Sequence, residues 1–117
     1  MARVVVADDD PGVLAIVHDV IGAMGHDVHS VTTGEAAIAE CQRSRPDLLI
    51  LDLLMPSGSG FDVLDCLGAH AFPVIAMSAI AGLREQGYVR QLGAEDFLAK
   101  PFEISELESK VRQWLGR

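Results

Sequence analysis

Basic side chains are scarce. The 117 residues include 9 Lys and Arg against 17 Asp and Glu, a formal net charge of −8. Binding to nucleic acid or to an anionic membrane surface relies on Lys and Arg, so this balance argues against both. A cation ligand or simple solubility fits the surplus of acid. Long apolar runs are absent as well. No stretch suits a bilayer span, and Met1–Ala7 leads straight into three acids, unlike a signal peptide. The expected location is cytoplasmic. Two cysteines occur, Cys41 and Cys66, without CxxC spacing or a histidine in ligand register. Both read as reduced, mostly buried thiols. No Ser/Gly linker, repeat or low-complexity run divides the chain. With half its residues hydrophobic, it suits one compact domain over 1–117.

Short apolar runs alternate with helical patterns. Arg3–Ala7 is β-branched and continuous, as in a strand buried on both faces. Pro11 suits a helix start; Val13, Val17, Val20, Ile21 and Met24 follow the helical period, and Gly25 suits the position past its end. Val28–Val31 predicts a second strand. Thr33 is a candidate N-cap for a helix over Glu35–Ser44. Leu48–Leu51 predicts the third strand, ending in Asp52, and Met55–Gly60 a loop. Phe61–Ala69 predicts a third helix, Pro73–Met77 a fourth strand ending at Ser78, and Leu83–Leu92 a fourth helix. Phe97–Ala99 predicts a short fifth strand before Lys100-Pro101. Ile104–Leu115 predicts a last helix whose acids lead and whose bases trail, which suits the helix dipole. This order implies an α/β fold with a parallel sheet covered on both faces, and ligands beyond the carboxyl ends of the strands.

The strand ends carry the chemistry. Asp8-Asp9-Asp10 follows the first strand, Asp52 the third, Ser78 the fourth and Lys100 the fifth. Asp10 reads as a helix N-cap beside Pro11. Converging carboxylates repel unless a cation joins them, and a hard cation with oxygen ligands, Mg²⁺ or Ca²⁺, answers that need. His18, His26, His29 and His70 are scattered and read as surface or loop residues. Carboxylate, metal, lysine and hydroxyl together make a phosphoryl-transfer set in which a carboxylate can be the nucleophile. No GxxxxGK[ST] loop is present, so the donor is expected to be something other than bound ATP.

The motifs VVVADDDP, LILDLLMPSGSG, VIAMSA and FLAKPF, in this order and spacing, resemble the receiver domain of two-component response regulators. The likeness covers essentially the whole chain and is greatest to the stand-alone chemotaxis type. It implies a flavodoxin-like, doubly wound five-stranded parallel sheet of order 2-1-3-4-5 with five helices. It implies that Asp52 accepts a phosphoryl group from a histidine kinase or histidine phosphotransfer protein. Mg²⁺ (or Mn²⁺) would be held by Asp9, Asp52 and the Leu54 carbonyl, with Asp8 acting mainly through bound water. Lys100 would pair with the phosphoryl oxygens. Ser78 would bond one of them and move on phosphorylation, with Phe97 as the aromatic switch residue turning inward. The Lys100-Pro101 bond would be cis. Such a domain is no enzyme beyond its own phosphorylation and dephosphorylation. Its output would lie in a downstream protein or a fused domain, without direct contact to nucleic acid or membrane.

Other positions particularise the chain. Leu54 and Ile80 occupy places that influence aspartyl-phosphate hydrolysis in the family, and both are apolar here. Gly87, within the fourth predicted helix, and Gly82 before it suit either an element that shifts or a close packing contact. Leu14 and Ile16 flank the first helix's core stripe and are candidate partner contacts. Asp96, Lys110 and Arg112 partly match charges that support dimers through the fourth helix, fifth strand and last helix, so a monomer or weak dimer is expected. A dehalogenase-type phosphohydrolase and a degenerate receiver serving only as a binding module are the rival readings.

Overall fold

The structure, a computed structural model, describes residues 1–55, 59–68, 70–79, 87–88 and 90–116. Among these, five parallel strands form one sheet: β1 (Arg3–Ala7), β2 (Asp27–Val31), β3 (Leu48–Asp52), β4 (Val74–Ser78) and β5 (Asp96–Ala99). Their order is β2-β1-β3-β4-β5. The helices are α1 (Pro11–Ala23), α2 (Gly34–Arg43), α3 (Gly60–Leu67) and α4 (Ile104–Leu115). Most of the predicted fourth helix, together with Ile80 and Gly82, lies outside the described residues; Gly87, Tyr88, Arg90 and Gln91 are helical. Gly87 is exposed, and a Cβ there would meet nothing within 4 Å, so a close packing contact does not account for it.

Strand side chains alternate between two cores. Val5, Ala7, Leu49, Leu51, Val74, Ala76 and Phe97 pack with Ala37 and Cys41 of α2 and Val63 and Leu64 of α3. Val4, Val6, Leu48, Ile50, Ile75, Met77 and Leu98 pack with Val17 and Ile21 of α1 and Leu107 and Val111 of α4. Apolar residues at every position therefore follow from burial on both faces, as expected of a central parallel strand. β2 lies at an edge and tolerates Asp27, His29 and Ser30. Capping matches the sequence: Asp10 accepts from the Gly12 N–H (2.8 Å) and Thr33 Oγ1 from the Ala36 N–H (3.1 Å). Gly25, at φ 93°, follows α1.

Several expectations need correction. Helix and strand ends differ by one or two residues, for example α2 starting at Gly34 and α3 at Gly60. Cys66 is exposed, because it falls on the outer side of α3; Cys41 is buried, and burial pushes its thiol up to about 11. His26 is buried, its Nδ1 accepting from the Ala2 N–H at 3.2 Å. The His70 side chain is also buried, being drawn in by two carbonyls.

Asp96 is buried and used internally. Its carboxylate accepts from Lys110 Nζ (2.9 Å), Trp114 Nε1 (2.8 Å) and the Phe97 N–H (2.8 Å). Burial opposes the charge, but these donors outweigh it and hold the carboxyl below its ordinary range. A lowered carboxyl contributes stability above its unfolded value and loses it as pH falls through the folded one. Asp96→Ala should therefore cost about 2–3 kcal/mol in urea unfolding at neutral pH. The gap to the parent protein should close in strong acid.

Candidate functional site

Parallel pairing brings four strand ends to one edge. Ala7 stands opposite Leu51, Asp52 opposite Met77 and Ser78 opposite Ala99. Asp8, one residue past β1, is fully buried; Asp52 and Ser78 close β3 and β4 and are also buried. Asp9 is exposed. Lys100 leaves β5 with its N–H donating to the Ser78 carbonyl (2.9 Å), and the Lys100-Pro101 bond is cis, as the resemblance implies.

Lys100 Nζ donates to Asp8 Oδ2 at 2.6 Å and lies 3.4 Å from Asp52 Oδ2. Asp8 Oδ1 accepts from the Asp10 N–H (2.9 Å) and Asp52 Oδ1 from the Leu54 N–H (3.2 Å). Lys100 is thus more closely bonded to Asp8. Burial, reinforced by the neighbouring Asp8 charge, raises the Asp52 carboxyl to about 6 although Leu54 and Lys100 pull it down. Burial lowers the Lys100 ammonium, but Asp8 and Asp52 outweigh that and raise it.

Asp8, Asp9 and Asp52 each offer an oxygen within 4.8 Å of the others, the metal-sized carboxylate cluster among the described residues. The donors are hard oxygens, and a divalent cation would relieve the repulsion and burial that hold Asp52 up, so the set fits Mg²⁺. Leu54 is exposed beside it. Phe97 is buried in the core under α2 and α3.

Sequence reasoning missed Gly60. Its N–H donates to the Leu53 carbonyl (3.0 Å), and a Cβ there would stand 2.6 Å from the Asp52 carbonyl oxygen. The signal was the glycine opening an apolar helical pattern after Ser59. The two candidate docking residues separate. Leu14 is half-buried against the core beneath α1, whereas Ile16 is 48% exposed. Ile16 lines a groove of about 530 Å³ with Val13, Ala79, Pro101, Phe102 and Ile104. Pro101 and Phe102 come from the turn after β5 and Ile104 opens α4, a combination that helix periodicity does not reveal.

Residues 4–112 match the response regulator receiver domain family. The chain belongs to that family, as a receiver domain of two-component response regulators. It is 34% identical over 119 residues to the transcriptional regulatory protein CiaR of Streptococcus pneumoniae, covering 100% of this chain and 53% of CiaR. The chain spans about half the length of the curated relatives it matches. Among solved structures it is similar to the signal receiver domain of a LuxO repressor protein from Vibrio parahaemolyticus. That match has 34% identity and a TM-score of 0.93 over 99% of this chain and 91% of that one. The receiver domain of sensor histidine kinase PA1611 from Pseudomonas aeruginosa is 26% identical, with a TM-score of 0.88 over 99% of this chain and 98% of that one. That structure has a magnesium ion coordinated in its active site cleft. No helix among the described residues is long and apolar enough to cross a membrane.

Proposed function

We propose that Asp52 is the phosphoacceptor in a Mg²⁺-dependent transfer from the phosphohistidine of a histidine kinase or phosphotransfer protein. One Asp52 oxygen attacks phosphorus, the phosphorus–nitrogen bond breaks, and its electron pair stays with the imidazole, which leaves neutral because its other ring nitrogen already carries the proton. Asp8, Asp9, Asp52 and the Leu54 carbonyl would hold Mg²⁺ (or Mn²⁺), which when bound neutralises phosphoryl oxygens. Lys100, already between two carboxylates, turns its ammonium to the arriving oxygens, and the Ser78 hydroxyl bonds one of them. Ser78 and Phe97 then carry the change to the face made by the predicted fourth helix, β5 and α4, for a downstream partner or a fused output domain. The supporting observation is a single lysine shared by buried Asp8 and Asp52 beside a third carboxylate. Incubation with Mg²⁺ and acetyl phosphate should add one phosphoryl group, located at Asp52 by peptide mass. No addition, or addition elsewhere, overturns the proposal.

Two further outcomes follow from the surroundings of Asp52. Leu54, exposed and apolar, hinders water at the acyl phosphate. Leu54→Asn should shorten the phosphoryl lifetime several-fold, read as phosphate release; an unchanged lifetime removes that role. The groove beside Ile16 is the surface where a histidine donor would dock. Ile16→Glu should slow transfer from a phosphohistidine donor about tenfold, equivalent to 1.4 kcal/mol. Acetyl phosphate labelling should be unaffected. Leu14→Glu is the poorer probe because it would bury a charge.

A further inference from the structure

Phe61 and Tyr88 stack across the seam between α3 and the helical residues that precede β5. Their ring centroids are 5.5 Å apart and their planes 29° from parallel. Phe61 is half-buried against the core under α2 and α3, and Tyr88 is 51% exposed. Farther along, the same seam opens. A groove of about 360 Å³ lies there, lined by Leu64, Asp65 and Gly68 on one side and Gln91, Leu92 and Gly93 on the other. The stack therefore closes the seam at the end of α3 that adjoins the phosphoacceptor edge.

Each ring sits on a different kind of support. Gly60, next to Phe61, donates to the Leu53 carbonyl (3.0 Å), and a Cβ on it would stand 2.6 Å from the Asp52 carbonyl oxygen. Ser59 holds the same turn, its Oγ accepting from the Asp62 N–H (3.2 Å) and its carbonyl from the Val63 N–H (3.1 Å). The first turn of α3 is thus fixed to the end of β3, and Phe61 moves with it. Tyr88 has weaker local support. Gly87 precedes it with open space around its Cα, and glycine is a poor helix former. The Tyr88 carbonyl accepts from the Leu92 N–H (3.1 Å), and a turn this short depends on tertiary contact. Leu92 packs on the core and Arg90 donates to the Glu95 carbonyl (3.1 Å), which fastens the far end of the turn toward β5.

We propose that the Phe61–Tyr88 stack ties the Asp52 end of β3 to the helical turn at Tyr88, a route out of the site that bypasses Ser78 and Phe97. A shift of Asp52 or Leu53 displaces Gly60, Gly60 carries Phe61, and Phe61 carries Tyr88. Use of this route in signalling rests on Asp52 being the phosphoacceptor; the tie itself does not.

Amide exchange at Leu92, whose N–H closes the turn on the Tyr88 carbonyl, reads the tie. The Leu107 N–H, bonded to the Glu103 carbonyl on the opposite face of the sheet (3.1 Å), is the reference for any general loss of stability. Phe61→Leu keeps an apolar side chain on the core, and Tyr88→Leu changes an exposed position. Without a phosphoryl donor, each should raise Leu92 exchange relative to Leu107 about fivefold, the factor an aromatic pair is worth, and the double variant should add nothing further. Unchanged Leu92 exchange in both single variants, or additive effects in the double, overturns the tie whatever happens at Asp52. With Mg²⁺ and acetyl phosphate, Leu92 exchange in the parent should change. That change should be lost in both variants although peptide mass shows them labelled at Asp52 as fully as the parent. A full response in the labelled variants overturns the route and leaves Asp52 as phosphoacceptor. A parent that takes no label overturns the phosphoacceptor reading and the route together, and the tie is then decided by the unlabelled exchange.

Discussion

Replacing Asp52 by Asn should end phosphoryl uptake from acetyl phosphate and, in Mg²⁺-free buffer near neutral pH, make the protein more stable. The carboxyl rises from 3.8 to about 6 chiefly because it is buried, and because Asp8 lies beside it. A raised carboxyl binds its proton more tightly in the folded chain than in the unfolded one. Its charge therefore opposes folding fully above about pH 6, and the opposition fades as pH falls toward 4. The size is on the order of 3 kcal/mol, or roughly 10 °C in Tm for a domain of this length. Asn keeps the shape and removes the charge. Thermal unfolding at neutral and acid pH checks this. The advantage of Asp52→Asn should be large at neutral pH and vanish near pH 4. Saturating Mg²⁺ should stabilise the parent by mass action and narrow the same gap. An Asp52→Asn protein no more stable than its parent would contradict the burial argument, even if labelling were lost.

Gly60→Ala should be among the most damaging single-methyl substitutions in the chain. The added carbon would stand 2.6 Å from the Asp52 carbonyl oxygen and 2.7 Å from Leu53 Cα, both of them backbone atoms. Neither can yield without shifting the end of β3, which is hydrogen-bonded onward through the Leu53 N–H to the Met77 carbonyl (2.9 Å). We expect a loss of about 3 kcal/mol in urea unfolding, the upper part of the range for overpacking. We also expect a clear drop in the rate of acetyl phosphate labelling, because the displaced strand end carries Asp52. Gly87→Ala is the matched control. With open space around its new methyl group it should gain up to about 1 kcal/mol from helix propensity. If the two substitutions behaved alike, the steric account of Gly60 would fail.

The contrast between these glycines shows what the sequence could reveal. Strand positions were legible because burial on both faces leaves unbroken apolar runs such as Val4–Val6 and Leu48–Leu51. The site was legible because each run ends in a residue unsuited to a core, Asp8, Asp52, Ser78 or Lys100, and parallel strands put such ends together. What stayed hidden depends on partners far along the chain. Asp96 reads as a surface charge until Lys110 and Trp114 are seen to close over it. His70 reads as a loop residue until Gly93, 23 positions later, offers it a carbonyl. Leu14 and Ile16, two residues apart, read alike until the helix turns one toward the core.

The lysine that joins Asp8 is 92 residues away from it in the chain. That distance sets an order of assembly. β1 and β3 can pair, and bring Asp8 near Asp52, while β5 of a nascent polypeptide is still in the ribosome. Loop closure across 92 residues comes only when β5 docks at the far edge of the sheet. Until then the carboxylates stand together without their ammonium, and like charges disfavour early compaction at that edge. Arrival of Lys100 thus neutralises the buried carboxylates at the same moment as it completes the proposed site. A nascent or truncated chain without β5 has the acidic cluster but not the lysine that would pair with the oxygens of an arriving phosphoryl group.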